Sequence, residues 1–213
     1  FEMKEIPFVI VLNADGVAVS LETTCEGEGK KRRAKQFLLP QAVKRSVGIE
    51  ANLLWDNPAY VLGLDLKGKP ERVAGQHVAF RERLDQLGLP DNPGLRAVRA
   101  FLSRSDKVEL LASFRAPWEE MKNTGGNISF RLAGQPRLIV EQPDIQTAVT
   151  RGAATADNIC LVTGESDPLE RLHAAIKGVW DAKSTGANIV SFNHAAFCSY
   201  NKTQGENAPV GKR

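Results

Sequence analysis

IPFVIVLNADGVAVSL, residues 6–21, reads as a strand, a tight turn and a returning strand. Residues 6–12 form a short apolar run rich in β-branched types, the pattern of a buried strand. NADG at 13–16 is a turn signal, with Gly16 free to take positive φ. Residues 17–21 then supply the partner strand. An antiparallel hairpin at the start of the chain is the anchor of the fold.

Outward from it, residues 26–35 read as a polar loop, and 36–40 and 60–65 as short strands. KGKP at 67–70 breaks the chain. Pro70 suits a first helical turn, and Val73, His77, Phe80, Leu84 and Leu87 recur at spacings of three and four, one helical face ended by Gly88. Asn92 and Pro93 open a second helix with Leu95, Val98, Phe101 and Leu102 inward. Glu119 and Glu120 read as an exposed helical surface. Strands are expected at 127–133, 137–142, 159–163 and 188–192, and a helix at 167–179. Strands, then helices, then strands predict an α+β fold, a largely antiparallel mixed sheet with helices packed on one side.

Bulk numbers exclude several classes. With 42% hydrophobic and 25% charged residues, the 213-residue chain has a globular composition rather than a disordered one. No run approaches the roughly 20 apolar residues of a membrane span, and no signal peptide pattern is present, so a cytoplasmic protein is expected. Cys25, Cys160 and Cys198 are odd in number and widely spaced, unsuited to a zinc site or a disulfide framework. GEGKK at 27–31 lacks the Ser or Thr of a phosphate loop. Neither GxSxG, HExxH nor GxGxxG occurs, the carboxylates are scattered, and His77, His173 and His194 form no ligand pair. No catalytic residue, metal or cofactor is expected.

Charge is where the chain departs from the ordinary. KKRRAKQFLLPQAVKR, residues 30–45, holds Lys30, Lys31, Arg32, Arg33, Lys35, Lys44 and Arg45 and no acid. The whole chain is +3, so everything outside this run is net negative. Local cations beside an apolar anchor attract a phosphate backbone through counterion release, although a solvated basic loop has the same composition. The block that follows, SVGIEANLLWDNPAYVLGLD at 46–65, sets Trp55 among Asn52, Asp56 and Asn57. Asparagine amides can read base edges and Trp can stack or wedge; equally, Trp55 can be core and Asn57 a turn former. Together, run and block read as a nucleic-acid contact surface.

The stretch from 30 to 65, with QHVAFRERL at 76–84, PWEEMKNTGGNISFRL at 117–132 and CLVTGESDPLERLHAAIKGVWDAKSTGANIVSFNHAAFCSYNKTQGENAPVG at 160–211, resembles the large subunit of the type I-C CRISPR surveillance complex Cascade, the Cas-eight family of subtype c. The likeness spans nearly the whole chain. That family carries residues before the position of Phe1 and a helical C-terminal domain beyond Arg213. The resemblance therefore implies one N-terminal α+β DNA-recognition domain of a larger subunit over 1–213, with sub-blocks 1–150 and 151–213, and the helical domain absent.

It further implies a non-catalytic protein that binds target double-stranded DNA, recognises the protospacer-adjacent motif and assists duplex opening in antiviral defence, while guide pairing reads sequence. Its partners would be CRISPR RNA, the backbone and handle-binding Cascade subunits, and a helicase-nuclease recruited later. Under that reading Lys30, Lys31, Arg32, Arg33 and Lys35 contact phosphates, and Gln41, Lys44 and Arg45 make ordered contacts. Asn52 and Asn57 read base edges, and Trp55 supports the loop or wedges the duplex. A second candidate is the loop 122–127, where Lys122 and Asn123 precede two glycines; a hairpin turn would look much the same. The rivals are a nuclease subunit and a structural module gripping the RNA 5′ handle and a neighbouring subunit.

Overall fold

The computed structural model describes residues 1–27, 29–43, 45, 48–152, 158–170, 173, 175–176, 178–183, 186–188, 190–192, 194–197, 199–200, 202 and 204–211. They form two compact units, Phe1–Val149 and Thr150–Arg213.

The first unit is α+β. Its central strand β2 (Phe8–Leu12) is buried at every position. It pairs antiparallel with β3 (Ala18–Thr23) and parallel with β8 (Ile128–Leu132), whose far edge carries β7 (Trp55–Asp56) antiparallel. Two further ribbons flank this sheet, β1 (Glu2–Glu5) with β6 (Gln36–Leu39), and β4 (Cys25–Glu26) with β5 (Arg33–Ala34).

One face of the sheet is apolar. Ile10 and Phe130 sit side by side in register, and Phe130 meets Phe80 of α2 (Pro70–Asp85) and Phe101 of α3 (Pro93–Ser103), with ring centroids 6.4 and 6.1 Å apart. The opposite face carries Val9 and Val11, and Arg131 of β8 reaches across them to Glu22 of β3 at 2.5 Å. An ion pair thus roofs the face that α2 and α3 leave open. The remaining helices of this unit are α1 (Pro58–Leu62), α4 (Lys107–Ala112), α5 (Arg115–Thr124) and α6 (Pro143–Gly152), whose last residues enter the second unit.

The opening hairpin, α2, α3 with its Asn92 cap, and β8 match the sequence reading. Other expectations are corrected. Residues 60–65 are not a strand: Asn57 caps α1, Pro58 opens it and Gly63 closes it in the left-handed region at φ 68°. Residues 137–142 form a 3-10 turn, Ile139–Glu141, that buries Leu138, Ile139 and Val140 together. Residues 26–35 are a ribbon rather than a loop.

In the second unit, Ile159 makes a single bridge with Ser166, and 161–163 are turn rather than strand. The described residues of 167–179 are not helical, because Leu169 and Ile176 are taken by bridges to Gly211 and Ala187. The described residues of 188–192 form no strand; Ile189 lies outside them.

The hairpin turn is built by its asparagine. Asn13 Oδ1 accepts from the backbone N–H groups of Asp15 (3.1 Å) and Val17 (2.8 Å), and Gly16 takes φ +76° against α3. A Cβ on Gly16 would stand 2.6 Å from the Ala97 carbonyl oxygen and the Ala100 Cβ. Gly16→Ala is expected to cost about 2–4 kcal/mol, because it adds a clash to the left-handed backbone penalty. Gly134→Ala, at φ +77° with open space around it, should cost only about 1–2 kcal/mol. Denaturant unfolding of the two variants measures the difference.

Candidate nucleic-acid interface

The basic run folds onto the β4–β5 ribbon. Cys25 pairs with Ala34 and Glu26 with Arg33, and the intervening chain turns through Gly27 (φ 86°), Gly29 (φ 52°) and the 3-10 turn Gly29–Lys31. Two residues per strand cannot stand alone in water, so the ribbon is stitched at its base. Thr24 donates from its N–H to the Pro7 carbonyl (2.9 Å) and from its hydroxyl to the Ile6 carbonyl (2.5 Å). Lys35 N–H donates to the Thr24 carbonyl (3.3 Å), and Ile6 N–H to the Lys35 carbonyl (3.1 Å).

Lys31, Arg33 and Lys35 are exposed on this ribbon. Lys30 belongs to its 3-10 turn. Arg33, Lys35, Thr24, Glu26 and Ala34 line an open groove of about 410 Å³, and the Lys35 ammonium lies 5.5 Å from the centre of the Phe37 ring. Arg32 is placed differently from the expectation of a phosphate contact. It pairs with Glu120 of α5 at 2.7 Å and so ties the ribbon to that helix. Nothing local in the sequence announces Glu120 as its partner.

The block 40–57 is organised by a residue the sequence reading left aside, Asp56. Its carboxylate is 1% exposed and receives both terminal nitrogens of Arg45, Nη1 at 3.2 Å and Nη2 in a shorter contact. It also accepts from the backbone N–H groups of Asn52 and Asn57, each at 2.9 Å. Arg45 Nε donates to the Glu50 carbonyl at 2.7 Å, and the guanidinium lies over the Tyr60 ring, 4.0 Å from its centre.

Three expected contact residues each have a hydrogen-bond partner within the protein. Asn52 is buried, not a base reader: its Oδ1 accepts from Val43 N–H at 2.8 Å. Trp55 is 2% exposed, core rather than wedge, and its indole N–H donates to the Pro40 carbonyl at 3.2 Å. Asn57 caps α1, with Oδ1 accepting from Ala59 N–H at 3.1 Å. Gln41 is exposed at the head of the loop, and Lys44 lies outside the described residues.

The expected glycine loop at 122–127 is a helix end. Lys122 and Asn123 belong to α5, Gly125 caps it in the left-handed region, and a Cβ on Gly126 would meet Pro7 at 2.8 Å. Lys122 is paired with Glu119 at 2.9 Å; Asn123 is exposed. Among the described residues no group of three or more His, Cys, Asp or Glu side chains could hold a metal ion, and no helix is long and apolar enough to cross a membrane.

The family model described as CRISPR-associated protein (Cas_Csd1) matches residues 1–213. The chain belongs to that CRISPR-associated family. Membership in Cas_Csd1 gives the protein a role in CRISPR defence. A comparison with curated proteins returns no match. In this Cas protein Lys31, Arg33 and Lys35 are exposed on the ribbon, and Arg45 is bound to Asp56.

Asp56→Ala strands four donors and should cost about 3 kcal/mol, with Asp56→Asn recovering part of it. The Tyr60 hydroxyl is buried without a partner among the described residues. Tyr60→Phe should therefore leave stability unchanged or raise it by up to about 1 kcal/mol, whereas Tyr60→Ala should lose about 3–5 kcal/mol with the ring beneath Arg45. Chemical denaturation of the four variants tests the cluster.

Proposed function

We propose that this chain is the DNA-recognition portion of the large subunit of a type I-C Cascade complex, acting by binding and not by catalysis. The observation that carries the reading is the β4–β5 ribbon, with Lys31, Arg33 and Lys35 exposed beside an open groove. A two-stranded ribbon is of a size to enter a major groove, and exposed cations at its surface meet phosphates there. Family membership supports the setting: CRISPR RNA, neighbouring Cascade subunits and a target duplex as partners, with cleavage left to a helicase-nuclease recruited afterwards.

Within this reading the ribbon supplies affinity, and recognition of the protospacer-adjacent motif falls to polar groups the fold leaves accessible. Gln41 is the foremost of these, exposed one residue beyond the Pro40 carbonyl that Trp55 fixes. Phosphate contacts position the protein, and base-edge contacts discriminate. Duplex opening then proceeds by guide pairing, with the protein holding the displaced backbone.

The test is binding of the assembled complex to two duplexes that differ only in the flanking motif, over a range of salt. Lys31→Ala with Arg33→Ala should weaken both duplexes alike and lower the salt slope by about 0.9 for each phosphate left unneutralised. Gln41→Ala should instead narrow the gap between the duplexes by about 1–3 kcal/mol. Unchanged DNA binding combined with loss of RNA or subunits would overturn the reading in favour of a module that grips the RNA handle.

A further inference from the structure

KGKP, residues 67–70, reads in the sequence as a chain break, and in the structure the segment 65–70 is a hydrogen-bonded turn. Asp65 Oδ1 accepts from the Lys67 backbone N–H at 2.9 Å. Backbone N–H groups of Lys67, then of Lys69 and Gly68, hold the Asp65 carboxyl below its usual range. Asp65 therefore stays ionised, and its negative charge stands beside the cations that follow. Lys67, Lys69 and Arg72 are all exposed. Among the described residues, no carboxylate stands within ion-pair distance of any of the three. Asp65 and the exposed Glu71 offset two of these three charges, so residues 65–72 sum to +1.

The turn joins the surface that Arg45 anchors. Arg72 Nη2 donates to the Gly48 carbonyl at 3.0 Å, across 24 residues of chain. One turn further along α2, Gly75 lies so close to Ile49 that a Cβ there would be 3.0 Å from its Cδ1. The start of α2 is therefore packed on residues 48–49, next to Glu50, whose carbonyl Arg45 holds. Cations separate in sequence are gathered at one surface.

We propose that Lys67, Lys69 and Arg72 form a second phosphate-contact patch beside Gly48 and Ile49, which takes the sugar-phosphate backbone of the target duplex. The inference rests on the DNA-binding reading above. The chemistry favours a duplex over a single strand. Binding of single-stranded nucleic acid draws on aromatic platforms for its unpaired bases. Here the aromatic residues between 41 and 66, Trp55 and Tyr60, are both buried. The patch offers cations without a stacking surface, which suits a polymer that hides its bases and displays phosphates.

The experiment compares assembled complexes carrying Lys67→Ala with Lys69→Ala, Lys31→Ala with Arg33→Ala, or neither. Duplex binding is titrated against salt, and RNA content and subunit composition are measured. Arg72 is left intact because it also holds Gly48. The Lys67/Lys69 variant should bind both duplexes about tenfold more weakly, with a salt slope lower by about two units and unchanged motif discrimination. Its RNA content and composition should match the parent complex. If it binds like the parent while the ribbon variant weakens, the patch is refuted and the DNA-binding reading stands. If neither variant weakens binding, both fall. Loss of RNA or of a subunit from the Lys67/Lys69 variant would assign the patch to assembly and refute the duplex contact.

Discussion

The Asp56 carboxylate is the point from which the interface is built. It sits on β7 at the edge of the sheet, in register with Ile128 of β8, and is buried. A charge in that position is tolerated only where donors replace its lost water. Four do: two from Arg45, and the backbone N–H groups of Asn52 and Asn57. Each donor also fixes a piece of chain. Arg45 fixes the loop, Asn52 the return to the sheet, and Asn57 the first turn of α1. The planar guanidinium makes this possible, since it binds the carboxylate with two nitrogens while lying flat on Tyr60. Lysine, a point charge, could do neither.

From this follows a division between residues that look alike in the sequence. A cation meets a phosphate best where its charge is not already answered, and a cation paired with a carboxylate has been answered. Arg45 and Arg32 belong to the second kind, through Asp56 and Glu120. Lys31, Arg33 and Lys35 belong to the first, on a ribbon too short to hold itself. Its position is borrowed from Thr24, from the chain around Ile6 and Pro7, and from α5 through Arg32. The polar residues around Trp55 divide in the same way. Asn52 and Asn57 accept backbone hydrogen bonds through their side-chain oxygens, while Gln41 is exposed at the head of the loop.

What the sequence could reveal tracks the range of the interaction. The hairpin was legible because Asn13 and Gly16 act within their own turn, and α2 and α3 because apolar spacing and an Asn-Pro start are local signals. Residues 60–65 read as a strand in the sequence, yet 58–62 are helix, and the helix signals are present. Asn57, Pro58 and Gly63 are a cap, a first turn and a left-handed stop, but the apolar Tyr-Val-Leu run between them has a length that suits a strand equally well. The parallel pairing of β2 with β8, the Arg131–Glu22 roof and the Arg32–Glu120 tether join residues about a hundred positions apart, and no local pattern encodes them. For the site, the basic run was legible as composition; which of its members keep a free charge was not, because the answer lies in their partners.

A polyanion is gripped by contacts that are individually weak and add in the logarithm, so no single cation is indispensable. Discrimination is different, since it rests on a few amides whose geometry is held to hydrogen-bond precision. On the proposed reading the architecture separates the two tasks. Exposed cations stand on short, borrowed elements, the ribbon and the 65–70 turn, where small displacements cost little electrostatic energy. The loop that presents Gln41 is tied at several points: Trp55 to Pro40, Glu2 to the Ala42 N–H, Asn52 to Val43, Arg45 to Asp56 and Arg72 to Gly48. Rigid anchoring is placed where a displaced hydrogen bond would fail, and is withheld where charge alone acts. The buried Asp56 holds the chain around it through four donors, and on the proposed reading this fixes the loop that presents Gln41 to the duplex.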